Sequence, residues 1–356
     1  MKYGLIFYKN TDNLGDDILS YAGKRFLPRI DYYIDRENMD RFLPEEKEYV
    51  AAVLNGWYIH YSYRFPPSPY LLPLFIGTHF NIDTQIYGDY SWLNDYAVNY
   101  LKRQEPIGCR DMRTMEILKQ KGVESYFSGC LTLTLQKFSD AMPNHEVILT
   151  DVSKEVTRYI KQLLGDRKIV SLTHRFTQEE RGWEDWQRRE ERAESYLKRY
   201  QGADLVVTGR LHCALPCIAL GTPVILVVKR DDDYYDRFEC FAKYCTSFSE
   251  EEILSNKADE ALLRPKENQR PDELILQMEE TVRRFADHTG EAAFDVSHLP
   301  ELSVYQDMYI DRSAGMSRAI EVLLQEKYQF LIQHQKDLET MEQVMSLAKR
   351  ITGGGE

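Results

Sequence analysis

The chain has 356 residues, enough for two domains and a large core, with an ordinary globular composition apart from 24 tyrosines and a formal net charge of -12. That charge argues against nucleic acid as a partner, because neutralising phosphates requires a basic face. The six cysteines are scattered, with no CxxC pair and no His/Cys cluster of zinc spacing, which leaves no metal site to propose.

Met1-Lys2 leads directly into a first strand, Tyr3 to Tyr8, and no apolar run approaches membrane-spanning length. Together with the scattered cysteines this predicts a reducing, cytoplasmic setting, which leaves peripheral contact with a membrane open. The polar turn KNTDNLGDD follows, and helical spacing runs from Ile18 to Leu27. Asn13, Gly15 and Asp16 stand where strand hands over to helix. Gly15 permits a tight turn or the approach of a ligand, and Asp16 or Asp17 can cap the helix.

Asp31–Asp35 and Tyr49–Leu54 read as further strands, the second ended by the turn signal Asn55-Gly56. Trp57, Tyr58, His60, Tyr61, Tyr63 and Phe65 then crowd one segment, which Pro66, Pro67 and Pro69 bar from a helix interior. Such rings suit sugar faces, or equally pack a loop onto its own domain. Leu72–Thr78 is the next strand, ending near His79. Trp92–Arg103 is helical, Pro106–Cys109 is a strand running into Arg110-Asp111, and Met112–Lys121 is a helix stopped by Gly122. Ser125–Phe127 is the last strand of this half, followed by Gly129. The alternation predicts a parallel sheet covered on both faces.

Ser139–Glu146 reads as a linker, and a second series begins beyond it: strand Val147–Thr150, helix Val152–Leu164, strand Lys168–Thr173 ending in His174-Arg175, and a charged amphipathic helix, Trp183–Tyr200. The most telling stretch comes next. Asp204–Thr208 is a β-branched strand, Gly209 breaks it, Leu211–Leu220 is an apolar helix capped by Gly221 and stopped by Pro223, and Val224–Val228 is a strand. This is one βαβ unit. Pro216 inside the helix should bend it. Arg210 and His212 stand at the helix mouth, where unpaired amides and the dipole attract anions. They read as a pair for a phosphate or carboxylate; the alternative is a capping arginine and a satisfied core histidine. His174, Arg175, Arg210, His212 and Lys229 all fall just past strand C-termini of one sheet, where open α/β sheets gather ligands.

Beyond Val228, Asp231–Asp233 are loop residues that point in different directions and make no metal site. Phe248–Leu263 carries a short polar helix, and Glu273–Ala286 is helical. Ser317–Ile351 has a long helical pattern with Leu324, Leu331, Leu338 and Met345 at heptad spacing, interrupted on its partner face by Gln335 and Glu342. It reads as a packing or homo-oligomerising helix.

Three places in the chain resemble the polysaccharide pyruvyl transferase family. They are Asn13, Gly15 and Asp16 after the first strand, Arg110-Asp111 followed by Thr114, Leu118 and Gly122, and TGRLHCALPCIALGTPVI from Thr208 to Ile225. The resemblance implies an α/β fold similar to the GT-B glycosyltransferases, two Rossmann-like domains facing each other across a cleft. Residues 1–142 would be the acceptor side, 143–260 the donor side and 261–356 a helical C-terminal extension. It also implies phosphoenolpyruvate as donor substrate with no further cofactor, a saccharide or lipid-linked saccharide acceptor, and a pyruvate ketal of cell-surface polysaccharide as product. Arg210 and His212 match the family's donor-binding Arg and His. On this reading Arg210, Arg175, Lys229 and Gly209 hold the donor and His212 is the acid, with His174 or Asp16 as base. Asn13, Gly15, Trp57, Tyr58, His60 and Arg110 face the acceptor, and the cations neutralise charge with no metal. Two other readings stand beside it: a GT-B glycosyltransferase using a nucleotide-sugar, and a non-catalytic carbohydrate-binding protein.

Overall fold

Eleven described strands divide between two wholly parallel sheets, and the change of sheet falls between Phe127 and Val147. The structure, a computed structural model, describes residues 1–59, 64–80, 93–181, 183, 185–228 and 236–290, with 322, 323, 325, 329 and 332 beyond them. The first sheet has the order β2-β1-β3-β4-β5-β6, from β1 (Lys2–Phe7), β2 (Tyr32–Asp35), β3 (Val50–Tyr58), β4 (Leu71–Phe80), β5 (Ile107–Cys109) and β6 (Ser125–Phe127). The second has the order β11-β10-β9-β7-β8, from β7 (Val147–Thr150), β8 (Ile169–Leu172), β9 (Leu205–Thr208), β10 (Val224–Val228) and β11 (Thr246–Ser249). Both orders reverse beside the strand that opens the lobe, so each sheet has a switch point where loops part and a ligand can enter.

The helix Leu14–Lys24 shows how the lobes are joined. Asn13 caps it, its Oδ1 accepting the Gly15 N–H at 3.1 Å. Asp16 and Asp17 lie in its first turn and Lys24 in its last, matching the helix dipole. Its Leu14, Ile18, Leu19 and Ala22 are fully buried in a core shared with Ala193, Leu197 and Tyr200 of the helix Trp186–Gln201 and with Ala214, Leu215 and Ile218 of the helix Leu211–Leu220. Burying its three large side chains contributes about 1.5–3 kcal/mol each. The two lobes therefore meet through packed apolar side chains as well as through loops. A buried ion pair crosses the same contact, Asp17 to Arg189 Nη2 at 2.9 Å.

Three sequence expectations change. The Asn55-Gly56 pair is no turn: β3 runs on to Tyr58 and shifts register between Leu54 and Gly56. The irregularity is stabilised by Tyr8, whose Oη donates to the Asn55 carbonyl at 3.1 Å. Gly56 has φ +147, and a Cβ there would collide with that hydroxyl. Phe248 and Ser249, which open the stretch expected to carry a short polar helix, belong instead to the edge strand β11, paired with β10; the polar helix beyond it is two short ones, the first opened by a Ser249–Glu252 capping box. The helix Asp272–Gly290, placed by sequence in the C-terminal extension, packs back on the first lobe, where Tyr3 Oη donates to the Ala286 carbonyl at 3.0 Å. Met1–Leu302 form one compact unit and Ser303–Glu356 a second. In the second unit the described residues Val322, Leu323, Gln325, Gln329 and Ile332 are helical, and Leu324, Leu331, Leu338 and Met345 lie outside the described residues. Among the described residues no helix is long and apolar enough to cross a membrane.

Candidate active site

The site grows from the loops at the carboxyl ends of both sheets. The Asn13 segment, which follows β1, and the Arg175 segment, which follows β8, pair as an antiparallel bridge. Leu14 N–H donates to His174 O and Phe176 N–H to Asp12 O, each at 2.8 Å. This backbone stitch fixes where the first turn of the Leu14–Lys24 helix sits against the second lobe. It lands on His212: a Cβ built on Gly15 would lie 3.1 Å from His212 Cβ and 3.2 Å from its Nδ1. The glycine of the first motif thus makes room for the imidazole of the third.

His212 owes its own backbone to Pro216. The prolyl ring carries no N–H and crowds the carbonyl four residues back, which is that of His212. His212 accordingly leaves helical geometry, at φ -80 and ψ 16, while the helix Leu211–Leu220 continues on either side of it. The bend expected from Pro216 is therefore placed at His212 itself.

Arg110, from the end of β5, reaches the same imidazole from the first lobe, its Nη1 3.3 Å from His212 Nε2. An arginine is always a donor, so Nε2 accepts and the ring proton is assigned to Nδ1. Enclosure of the ring, and after it the guanidinium of Arg110, push the His212 pKa well below its ordinary value; His174, Arg237 and Arg210 act in the same direction. His212 is thus a neutral imidazole among cations. Arg110 itself is 1 % exposed, its Nε is buried without a hydrogen-bond partner, and no carboxylate lies within ion-pair distance of it among the described residues. A buried guanidinium whose side-chain partner is a neutral ring is a charge awaiting an anion.

Arg210 occupies the N-cap position of the helix of His212 without a side-chain capping bond, and its Nε donates to Asp151 Oδ2 at 2.8 Å. Asp151 stands at the end of β7 with φ +50. Burial raises its carboxyl, but hydrogen bonds from Thr173 Oγ1 at 2.6 Å and the His174 N–H at 3.0 Å, with Arg210, outweigh that and hold it below the usual carboxylate range. Asp151 remains ionised and aims Arg210. The two Nη groups of Arg210 have no protein hydrogen bond among the described residues, so the fork of the guanidinium is available to an oxyanion.

Other expected site residues are placed as follows. Asp16 accepts from Thr11 Oγ1 at 2.5 Å, beside the helix start. Gly209 continues the second sheet's edge, its N–H 3.4 Å from the Thr150 carbonyl. Arg175 is exposed next to the lobe stitch. His174, expected as a base, is fully buried, with Nε2 2.9 Å from Tyr200 Oη; it sits behind the site and positions the loop whose N–H holds Asp151. Tyr58, expected to face an acceptor, is 2 % exposed and belongs to the first-lobe core, because β3 continues through it and turns it inward. Trp57, its neighbour on the other face of the strand, stays at the site: its ring meets His79 edge-on at 4.9 Å and carries the Arg237 guanidinium at 4.6 Å. Lys229 and His60 lie outside the described residues.

Four site residues were not singled out in the sequence. Asp151 carried a usable signal, since it directly follows a predicted strand. Asp111 was read only as part of a motif and His79 only as a strand end; the structure joins them at 2.6 Å. Arg237 lies on the helix Asp236–Ala242, the next described element after β10, and had no signal. Among the described residues, no three His, Cys, Asp or Glu side chains gather as metal ligands.

A family model for polysaccharide pyruvyl transferase matches residues 13–231. Among solved structures the chain is similar to a functionally uncharacterised protein from Klebsiella pneumoniae subsp. pneumoniae NTUH-K2044, at 13% identity and TM-score 0.43, over 70% of this chain and 93% of that one. It is also similar to a Methanocaldococcus jannaschii UDP-GlcNAc 2-epimerase, at 13% identity and TM-score 0.41, over 81% and 100%. A third likeness is to the wall teichoic acid polymerase TagF, at 12% identity and TM-score 0.35, over 88% and 89%. None of the curated proteins compared with the chain matches it significantly.

Proposed function

The chain belongs to the polysaccharide pyruvyl transferase family and is a transferase; from that premise we propose that it moves the three-carbon unit of phosphoenolpyruvate onto two hydroxyls of a saccharide, forming a pyruvate ketal. The observation that carries this reading is Arg110, a buried cation with no carboxylate at ion-pair distance among the described residues, directed at a His212 whose protonation Arg237 and Arg210 also oppose. Phosphoenolpyruvate brings a carboxylate and a phosphate into one small molecule. Such a ligand fits a cluster that is short of anions.

In this scheme Arg110, expected from the sequence on the acceptor side, instead joins the donor site because it reaches His212; it and the fork of Arg210, whose Nη groups have no hydrogen bond among the described residues, bind the two anionic groups, with Arg175 and Lys229 as further cations at the rim. The donor's charge offsets the repulsion that keeps His212 neutral, so His212 takes up a proton as the donor binds. It then gives that proton to the methylene carbon, leaving an oxocarbenium-like C2. A sugar hydroxyl attacks C2 and loses its proton, which the departing phosphate carries off as it leaves with the C–O electron pair; a second hydroxyl closes the ketal, and its proton returns to solvent in place of the one His212 took up. One diol and one phosphoenolpyruvate trianion become a ketal carboxylate and hydrogen phosphate, with no net proton change. The acceptor belongs to the first-lobe side, near Trp57.

The test is phosphate release from phosphoenolpyruvate with p-nitrophenyl gluco-, galacto- and mannopyranosides as acceptors. His212→Ala and Arg210→Ala should each cost about 10²-fold or more in turnover. Near-normal turnover in both variants, or thermal stabilisation by a nucleotide-sugar and not by phosphoenolpyruvate, would overturn the proposal.

A further inference from the structure

Beside the arginine cluster lies a second constellation that the scheme above leaves without a task. β4 and β5 are neighbours, with Thr78 paired to Cys109, so the residues just past that pair come together at the sheet's carboxyl edge. They are His79 and Asp111. His79 Nδ1 lies 2.6 Å from Asp111 Oδ2, and the other carboxylate oxygen accepts the Thr114 N–H at 2.8 Å as the N-cap of the helix Met112–Gln120. Both side chains are buried, at 3 % and 0 % exposure. Burial raises the Asp111 carboxyl, but the hydrogen bond and charge of His79, with the Thr114 amide and Arg110, hold it below its ordinary range. An ionised Asp111 fixes the His79 proton on Nδ1 and leaves the Nε2 lone pair unprotonated. This is the relation by which a carboxylate sets an imidazole for general-base work.

Its location ties it to the site. Trp57 stands edge-on to the His79 ring, Arg110 is the residue before Asp111, and Arg110 and Arg237 both act electrostatically on His79 as they do on His212. Two imidazoles, one from each lobe, therefore feel the same two arginines. His212 sits against the arginine cluster assigned to the donor. His79 sits on the first lobe, beside the half-buried ring of Trp57 on the side assigned to the acceptor.

We propose that His79, oriented by Asp111, is the general base that accepts the proton of the attacking acceptor hydroxyl at Nε2. This rests on the transferase reading given above. As the O–C2 bond forms, the hydroxyl's O–H pair becomes the new bond's electron source and its proton passes to Nε2; the leaving phosphate later takes that proton up, so base and acid each return to their starting state. Asp111 acts through His79 and is a positioning residue.

The experiment uses the full chain with phosphoenolpyruvate and the p-nitrophenyl hexopyranosides, and compares His79→Gln and Asp111→Asn with the unmodified protein. Glutamine keeps the size and a hydrogen bond to Asp111 but takes no proton. Asparagine keeps the helix cap but presents an amide N–H where Oδ2 stood, which forces the His79 proton to Nε2. For His79→Gln we expect phosphoenolpyruvate affinity within about 2-fold of the unmodified protein, turnover lower by about 10²–10⁴-fold, and loss of the acid limb of the kcat/KM profile. The groups facing His79 in that titration are Asp111, Thr114, Trp57, Arg110 and Arg237. Asp111→Asn should lose turnover while ¹⁵N NMR of the histidines reports the switch from Nδ1–H to Nε2–H, a change that a merely structural pair would not couple to rate. Turnover of His79→Gln within about 3-fold of normal, or a joint loss of donor binding and thermal stability in both variants, would overturn the base assignment. Absence of phosphoenolpyruvate turnover in the unmodified chain would instead defeat the transferase reading, and the base with it.

Discussion

Replacing Gly15 by Ala should separate folding from activity. The new methyl would stand 3.1 Å from His212 Cβ, 3.2 Å from its Nδ1 and 3.2 Å from Asn13 Oδ1, against an ordinary contact distance of 3.4 Å or more. The imidazole must therefore retreat by a few tenths of an ångström. Its Nε2 is already 3.3 Å from Arg110, near the outer end of hydrogen-bond range, so the shift acts on the contact that links the lobes' catalytic groups. Gly15 lies in a helix and is not at positive φ, so alanine brings no backbone strain there and gains up to about 1 kcal/mol of helix propensity. Stability should change by no more than about 1 kcal/mol either way, a Tm shift of about 4 °C or less. A misplacement of about 1 Å at a reacting group costs about 10²-fold, so a few tenths should cost about 10-fold in kcat/KM, or about 1.4 kcal/mol of barrier. The assay pairs thermal melting with phosphate release. A Gly15→Ala protein with unchanged kcat/KM would refute the functional meaning of the Gly15–His212 contact, and one that fails to fold would refute the packing argument.

The lobe contact and the site's protonation give two further predictions. At pH 8, where Asp17 is ionised, Asp17→Asn leaves the fully buried Arg189 without its anion and should cost about 3–5 kcal/mol, whereas the double change Asp17→Leu/Arg189→Met should recover most of it; equal melting temperatures for the single and double variants at that pH would contradict this. Burial raises the Asp17 carboxyl, against the pull of Arg189, to about 7. Its unfolded value is about 3.9, so between these values the native state holds the extra proton and stability falls as pH rises; Asp17→Asn should lack that slope in denaturant titrations across the same window. The depressed pKa of His212 means that donor binding near pH 6–7 should draw a proton from solvent, because an added anion makes the imidazolium less costly. Calorimetry in buffers of different ionisation enthalpy would show this uptake with phosphoenolpyruvate. It should vanish in His212→Gln, and buffer-independent heats for the unmodified protein would exclude it.

Local pattern carried much of the molecule. Alternating β-branched runs and capped helices are short-range features, so the two parallel series and the strand–helix–strand around Arg210 and His212 could be read directly from residue order. Pro216 announced its bend, because a proline acts only on the turn before it. Aromatic and turn signals misled where tertiary packing overrode them: Tyr8 Oη satisfies the Asn55 carbonyl and lets β3 run through Gly56, which draws Tyr58 into the core.

Residue order alone settled which side chains stand at strand ends and which elements carry them, since those depend on neighbours a few positions away. Only the tertiary structure decided that Gly15 and Arg110 of one lobe close on His212 of the other, that Asp151 aims Arg210, and that His79 and Asp111 form a pair. Those contacts join residues that are 102, 59 and 32 positions apart for the three hydrogen-bonded pairs. No periodicity reaches that far, and such groups come together only when burial of the shared core fixes one lobe against the other.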